Sequence, residues 1–131
     1  IIKIRSSIID AFRDYYTEHD YFEVTSPTLV QTQREGGSAL FRLDLFGDKA
    51  YLTQPSQLHL EAVIPTLGNV FCIAQSYSAE QFKTRRNSAE ITHIEAEIPY
   101  ISFDELLQAV EDLACGVLDR ILACDIKLLL Q

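Results

Sequence analysis

The sequence predicts an α+β fold, an antiparallel β-sheet flanked by helices, and three observations carry that reading. Apolar residues recur at helical spacing near both ends of the chain. Between them, short runs alternate apolar and polar residues with the period of two that marks strands. Gly and Pro punctuate those runs, with no linker or repeat, so residues 1–131 read as a single domain.

Taken in order, Ile1, Ile4, Ile8, Phe12 and Tyr15 share one face over Ile1 to His19, with Lys3, Arg5, Asp10, Arg13 and Asp14 on the others. That is an amphipathic helix. Tyr21 to Val24 reads as a strand closed by Thr25-Ser26-Pro27. Pro27 has no N–H to donate, which implies an edge, a bulge or a contact with another chain. Gln33 to Ser38 holds Gly36-Gly37 and reads as a loop. From Leu40 to Phe46, Phe41, Leu43 and Leu45 alternate with Arg42 and Asp44, and Gly47-Asp48 turns this strand into Ala50 to Thr53. Pro55 and Ser56 open a short helix, Gln57 to Ile64, which Pro65 and Gly68 close.

Val70 to Glu80 and Glu90 to Ile98 read as strands joined by the polar loop Gln81 to Ala89. Period two places Ser76, Ser78 and Glu80 on one face of the first. Ile91, His93, Glu95 and Glu97 share one face of the second. Antiparallel pairing sets the two polar faces side by side, and carboxylates with a histidine are costly to bury. This face is therefore expected to line water or a ligand cleft. Ser102 and Glu105 form a capping box for a last helix, whose Leu106, Val110, Leu113, Val117 and Ile121 are expected to pack on the sheet. The apolar tail from Lys127 to Gln131 has no assigned role.

Charge narrows the function classes. Asp and Glu number 19 against 11 Lys and Arg, a net charge of −8. Nucleic-acid contact spread over the whole surface is excluded, because each neutralised phosphate needs a cation. A local basic loop is not excluded, and Lys83, Arg85 and Arg86 supply one. No apolar run reaches membrane-spanning length and no signal peptide opens the chain, so a soluble intracellular protein is expected. Cys72, Cys115 and Cys124 are too few for a disulfide framework or a four-cysteine zinc site, and read as packed thiols. His93-x-Glu95-x-Glu97 places potential metal ligands on one strand face, but no metal site is assigned. The chain begins at Ile1 and contains no methionine, so a piece of a longer protein is expected. No nucleophile elbow, Walker loop or Gly-x-Gly-x-x-Gly motif is present.

Four stretches together are specific. Tyr21-Phe22-Glu23-Val24-Thr25-Ser26-Pro27-Thr28-Leu29, Gln31-Thr32-Gln33-Arg34-Glu35-Gly36-Gly37-Ser38, Leu52-Thr53-Gln54-Pro55-Ser56-Gln57-Leu58 and Phe71-Cys72-Ile73-Ala74-Gln75-Ser76-Tyr77 are similar to the class II aminoacyl-tRNA synthetases of the aspartate, asparagine and lysine group. Within that group the resemblance is to the cytosolic asparaginyl type, from about Ile8 to Ile121. It implies a partial class II catalytic core, with motif 1 near 20–30 and motif 2 near 71–98. Motif 3 and the anticodon-binding domain are expected to lie outside residues 1–131.

The resemblance also implies roles. Pro27 matches the motif 1 proline at the dimer interface. Glu35 matches an acid of the loop over the amino acid, and Gln57 a residue on its α-amino side. Leu60 stands where the aspartate enzymes carry a lysine, which favours a neutral side chain. Glu95 matches the acid near the asparagine amide. Glu80 matches the motif 2 acid near adenine, and Arg86 the loop arginine approaching the outer phosphates and the tRNA end. Glu80 and Arg86 are thus the implied catalytic pair, with Glu80, Arg86 and Ile91 on the ATP side. The implied ligands are asparagine, ATP with Mg2+ and tRNA-Asn, in a cytoplasmic homodimer.

Four positions depart from the family pattern. Ser78 stands where an arginine grips the α-phosphate; losing a preorganised donor of that kind costs about 3–4 kcal/mol of transition-state stabilisation. Asn87 replaces a histidine, Ile91 an aromatic that stacks on adenine, and Asp20 the motif 1 glycine. Three of these lie on the ATP side, while Glu35, Gln57, Leu60 and Glu95 on the amino-acid side persist. The expectation is a ligase-family core with impaired activation. The alternatives are a degenerate module that binds or dimerises without ligase activity, and an amide-forming asparagine synthetase, which Ser78 and Ile91 also disfavour.

Overall fold

The structure is a computed structural model, and it describes residues 1–31, 40–79 and 88–123. Helix α1 (Ile2–Glu18) leads into β1 (Phe22–Glu23) and β2 (Leu29–Val30). A hairpin follows, β3 (Arg42–Leu45) and β4 (Asp48–Leu52), then α2 (Gln57–Leu67). The long strands β5 (Val70–Tyr77) and β6 (Glu90–Glu97) precede α3 (Phe103–Ala123).

The strands form two three-stranded sheets, ordered β1-β5-β6 and β2-β4-β3. β5 and β6 are antiparallel as expected, with Val70 opposite Glu97 and Tyr77 opposite Glu90. The β1–β5 pair is parallel, Phe22 beside Val70, so this sheet is mixed. A parallel pair needs a long crossover, which the segment carrying the hairpin and α2 supplies. β1 lies at the sheet edge, while exposed Pro27 falls in the irregular run between β1 and β2, where no ladder requires its N–H.

Two core clusters flank the mixed sheet. Ala11, Tyr15 and Tyr16 of α1 pack with Phe71 and with Val117 of α3 on one face. Tyr16 stacks on Phe71 at 4.6 Å between centroids. Leu60, Val70 and Cys72 form the second cluster beneath α2. Helix α3 packs mainly on α1 rather than the sheet: Val117 is buried, whereas Leu106 and Val110 stay 42% and 56% exposed. Gly116 permits this approach, since a Cβ there would lie 2.6 Å from the Tyr15 ring.

The capping signals act as read, with three shifts. Ser102 N–H and hydroxyl donate to Glu105 Oε2 at 2.7 and 2.8 Å, while Glu105 N–H donates to Ser102 Oγ at 3.3 Å. Those bonds hold the Glu105 carboxyl below its ordinary value. Pro65 lies inside α2 rather than ending it; few residues follow, and Gly68, at φ 78°, terminates the helix. The hairpin turn is Phe46-Gly47, one residue earlier than expected. Both have positive φ, 56° and 91°, the backbone of a type I′ turn, and Gly47 N–H donates to Asp44 Oδ1 at 3.0 Å. The expected strand ends at 80 and 98 contract to Tyr77 and Glu97.

Helix α1 ends in a Schellman motif. Tyr21 N–H donates to Tyr16 O at 3.0 Å and Asp20 N–H to Thr17 O at 3.3 Å. The Tyr16 and Tyr21 rings meet at 5.0 Å, the hydrophobic contact that accompanies such caps. Asp20 occupies the left-handed position at φ 61°.

Candidate functional site

The register of β5 and β6 sets Cys72 beside Glu95, Ala74 beside His93 and Ser76 beside Ile91. All six therefore share the face turned toward α2. Its lower half does not line a cleft, because Val70 and Cys72 are sealed under Leu60. The upper half opens, and there the polar groups gather.

Three bonds clamp the turn 53–56, which leads into α2, onto the sheet. Tyr77 N–H donates to Thr53 O at 2.9 Å, the Ser76 hydroxyl donates to the Gln54 carbonyl, and Ser56 N–H donates to Glu95 Oε2 at 2.5 Å. Ser56 precedes the helix without a side-chain cap of its own, so Glu95 supplies an anion to the α2 N-terminus from across the sheet. Cys72 Sγ lies 4.0 Å from the same oxygen. The other oxygen, Oε1, faces His93 Nε2 at 3.6 Å, an ion pair when the ring is protonated. His93 Nδ1 lies 2.9 Å from Ser76 Oγ.

Farther down the face, burial first, then Glu61 and Glu95, raises the Glu97 carboxyl above its ordinary value. The Gln57 amide donates to Glu61 Oε1 at 2.7 Å. A hollow of about 220 Å³ adjoins the clamp, with Gln54, Pro55, Ser76, Ser78, Ile91 and His93 in its wall. A second, of about 260 Å³, lies across the turn against Pro27, Leu52, Pro55 and Leu58.

The structure thus brings Ser78 and Ile91 to one hollow, with Glu95 anchored behind His93. Gln57 begins α2 and turns to Glu61. Leu60 is fully buried in the core against Val70 and Cys72. Glu35, Glu80, Arg86 and Asn87 lie outside the described residues, as do Cys124 and the tail. Sequence reasoning missed Gln54 and Ser56, and it did not connect Ser76 to His93. The available signal was their shared face on neighbouring strands, one diagonal step apart. Among the described residues no cluster of three His, Cys, Asp or Glu could hold a metal, and no helix is long and apolar enough to cross a membrane.

The fold that carries this site has counterparts of known family. The family described as tRNA synthetases class II (D, K and N) matches residues 1–129, and the chain belongs to it. Within that family it is similar to the cytoplasmic asparagine–tRNA ligase of Homo sapiens, 61% identical over 122 residues. That match covers 93% of this chain and 22% of the human protein. The asparaginyl-tRNA synthetase of Entamoeba histolytica superposes with a TM-score of 0.87 at 49% identity, covering 92% of this chain and 27% of that one. The enzyme from Pyrococcus horikoshii, solved with asparaginyl-adenylate, gives 0.87 at 35% identity over 92% of this chain and 28% of its own. The expected family and partial-core fold are borne out.

Proposed function

We propose that this chain carries the amino-acid half of an asparagine–tRNA ligase catalytic core, beside an adenylate half that is weakened. The observation supporting this reading is the clamp. Glu95, the acid matched to the asparagine amide, is held by a backbone N–H at 2.5 Å, while Ser78 and Ile91 stand in the neighbouring hollow at the positions where the family resemblance expects an arginine and an adenine-stacking aromatic. Leu60, in place of a lysine, leaves no cation beneath the site to favour a carboxylate substrate. A preorganised acid, with leucine rather than lysine at position 60, suits a neutral amide.

In the complete reaction the asparagine carboxylate attacks the α-phosphorus of ATP, pyrophosphate leaves, and the acyl group passes to tRNA-Asn. Positioning and charge stabilisation suffice for both steps, and no protein nucleophile is needed. Mg2+ would neutralise the phosphates. Glu80 and Arg86 are proposed for the ATP side, Glu35 and Gln57 for the ammonium side, and Pro27 for a homodimer contact. On this reading the chain alone binds and does not turn over. The competing reading is a binding or dimerisation module without ligand selectivity.

Calorimetric titration with a non-hydrolysable asparaginyl-adenylate analogue, against the aspartyl analogue, separates the two. Selective binding of the asparaginyl form is expected. No binding by a folded sample refutes the proposal.

A further inference from the structure

We infer that His93 is a positioning residue for Glu95: a hydrogen-bond relay from the Gln54 carbonyl through Ser76 orients the imidazole, and the protonated ring pairs with the carboxylate. The functional part of this inference rests on Glu95 being the amide-facing acid proposed above; the relay itself does not.

The protons decide the direction of the relay. A carbonyl oxygen only accepts, so the contact between Ser76 Oγ and Gln54 O uses the single hydroxyl proton of Ser76. The other neighbour of Ser76 Oγ is His93 Nδ1 at 2.9 Å. With its proton committed, the hydroxyl accepts there, and Nδ1 is the donor. The ring therefore carries a proton on Nδ1 whether it is neutral or cationic. This is not a nucleophile with its base, because Ser76 has no proton to give the imidazole and His93 has no lone pair at Nδ1 to take one.

Fixing Nδ1 orients the ring and aims Nε2 at Glu95 Oε1, 3.6 Å away, where the protonated ring forms an ion pair; a neutral ring has a bare Nε2 and donates nothing there. Oε2 is already held by Ser56 N–H at 2.5 Å. With the ring protonated, the two contacts engage both carboxylate oxygens. Ser76 is buried and the Glu95 side chain is 15% exposed, while the His93 side chain between them is 38% exposed, so water reaches the ring but little of either end of the relay. His93 also stands in the wall of the hollow, which places it between that space and Glu95. Its effect on a ligand's amide would thus pass through the orientation of Glu95.

Nitrogen-15 correlation NMR of the imidazole tests the relay without a ligand. The expected spectrum shows Nδ1 protonated, against the Nε2-protonated form that neutral histidine favours in water. Ser76→Ala is expected to return the proton to Nε2. A bare Nδ1 in the unaltered chain, or a ring unchanged in Ser76→Ala, overturns the relay. His93→Phe, with His93→Gln as the variant that keeps a donor, tests positioning. With both ring nitrogens protonated, the Glu95 carboxyl carbon-13 resonance is expected to move in His93→Phe and to return toward its original place in His93→Gln. A Glu95 resonance indifferent to both overturns the inference, whatever the ligand titration shows. Where the unaltered chain binds the asparaginyl analogue selectively, His93→Phe is expected to cut that selectivity at least tenfold. Unchanged selectivity in a folded variant also overturns it. Absence of analogue binding by the unaltered chain refutes the proposed function, and the two resonances still decide the relay.

Discussion

Replacing Asp20 with glycine should stabilise the protein, and the size of the gain follows from the α1 cap. Asp20 sits at φ 61°, where a Cβ crowds the neighbouring carbonyl. For an ordinary L-residue that conformation costs about 1–2 kcal/mol, and aspartate falls at the low end. Its carboxylate also stands one residue beyond the helix C-cap, where the macrodipole disfavours a negative charge by about 0.3–1 kcal/mol. Against these gains, glycine widens the unfolded ensemble by about 0.4–1 kcal/mol. The balance for Asp20→Gly is roughly +1 kcal/mol, or about 4 °C in Tm for a domain of this size. Asp20→Asn keeps the Cβ and removes only the charge, so it should recover about half of that. Urea denaturation followed by circular dichroism gives both values from one set of curves. The reasoning fails if Asp20→Gly is no more stable than Asp20→Asn, because the left-handed backbone would then cost no more than the freedom glycine adds to the unfolded chain. The family resemblance implies a glycine at this position, and the Schellman bonds of Tyr21 and Asp20 give that residue type its physical reason.

Three further outcomes follow from named contacts. Gly116→Ala improves helix propensity yet sets a methyl 2.6 Å from the Tyr15 ring, so a net loss of about 1–2 kcal/mol is expected in the same denaturation assay. Glu97 has a raised carboxyl pKa in the fold, so the folded chain binds its proton more readily than the unfolded one. Stability should therefore fall as pH rises from the ordinary carboxylate value to the raised one, and stay lower beyond it. Glu97→Gln should be the more stable form at pH 7 and lose this part of the pH dependence; equal stabilities at pH 7 would contradict it. Finally, the triple change Ser78→Arg, Asn87→His, Ile91→Tyr should raise ATP affinity measured by calorimetry. No gain in a folded sample would show that these substitutions are not what weakens the ATP side.

The helices were legible because their causes are local. A repeat of apolar residues in α1 and the Ser102–Glu105 box act over three or four positions, and the chain displays them directly. The hairpin was legible as a turn but misplaced by one residue, since Phe46 is an improbable occupant of a left-handed backbone and Gly47-Asp48 the ordinary choice. The parallel β1–β5 pair was not legible. It depends on which distant segment fills the space beside Val70, and Phe22-Glu23 contains no sign of it. The candidate site divides in the same way. Period two brought His93 and Glu95 to one face with Ser76, yet the carbonyl of Gln54 and the N–H of Ser56 are backbone groups without any residue signature. The catalytic roles rested on family resemblance, because carboxylates along a strand look alike until a helix end selects one of them.

The clamp at 53–56 joins partners far apart in the chain. Ser76 and Gln54 are separated by 22 residues, and Ser56 and Glu95 by 39. Each link closes a long loop, whose entropic cost must be met before the contact returns anything. The hollow therefore has no local precursor: neither the hydrogen bonds within α2 nor those of the β5–β6 ladder create it. Ligand binding on this chain is thus a signal of completed folding, and any ligand held there would stabilise the fully assembled state alone, in proportion to the logarithm of its concentration above Kd.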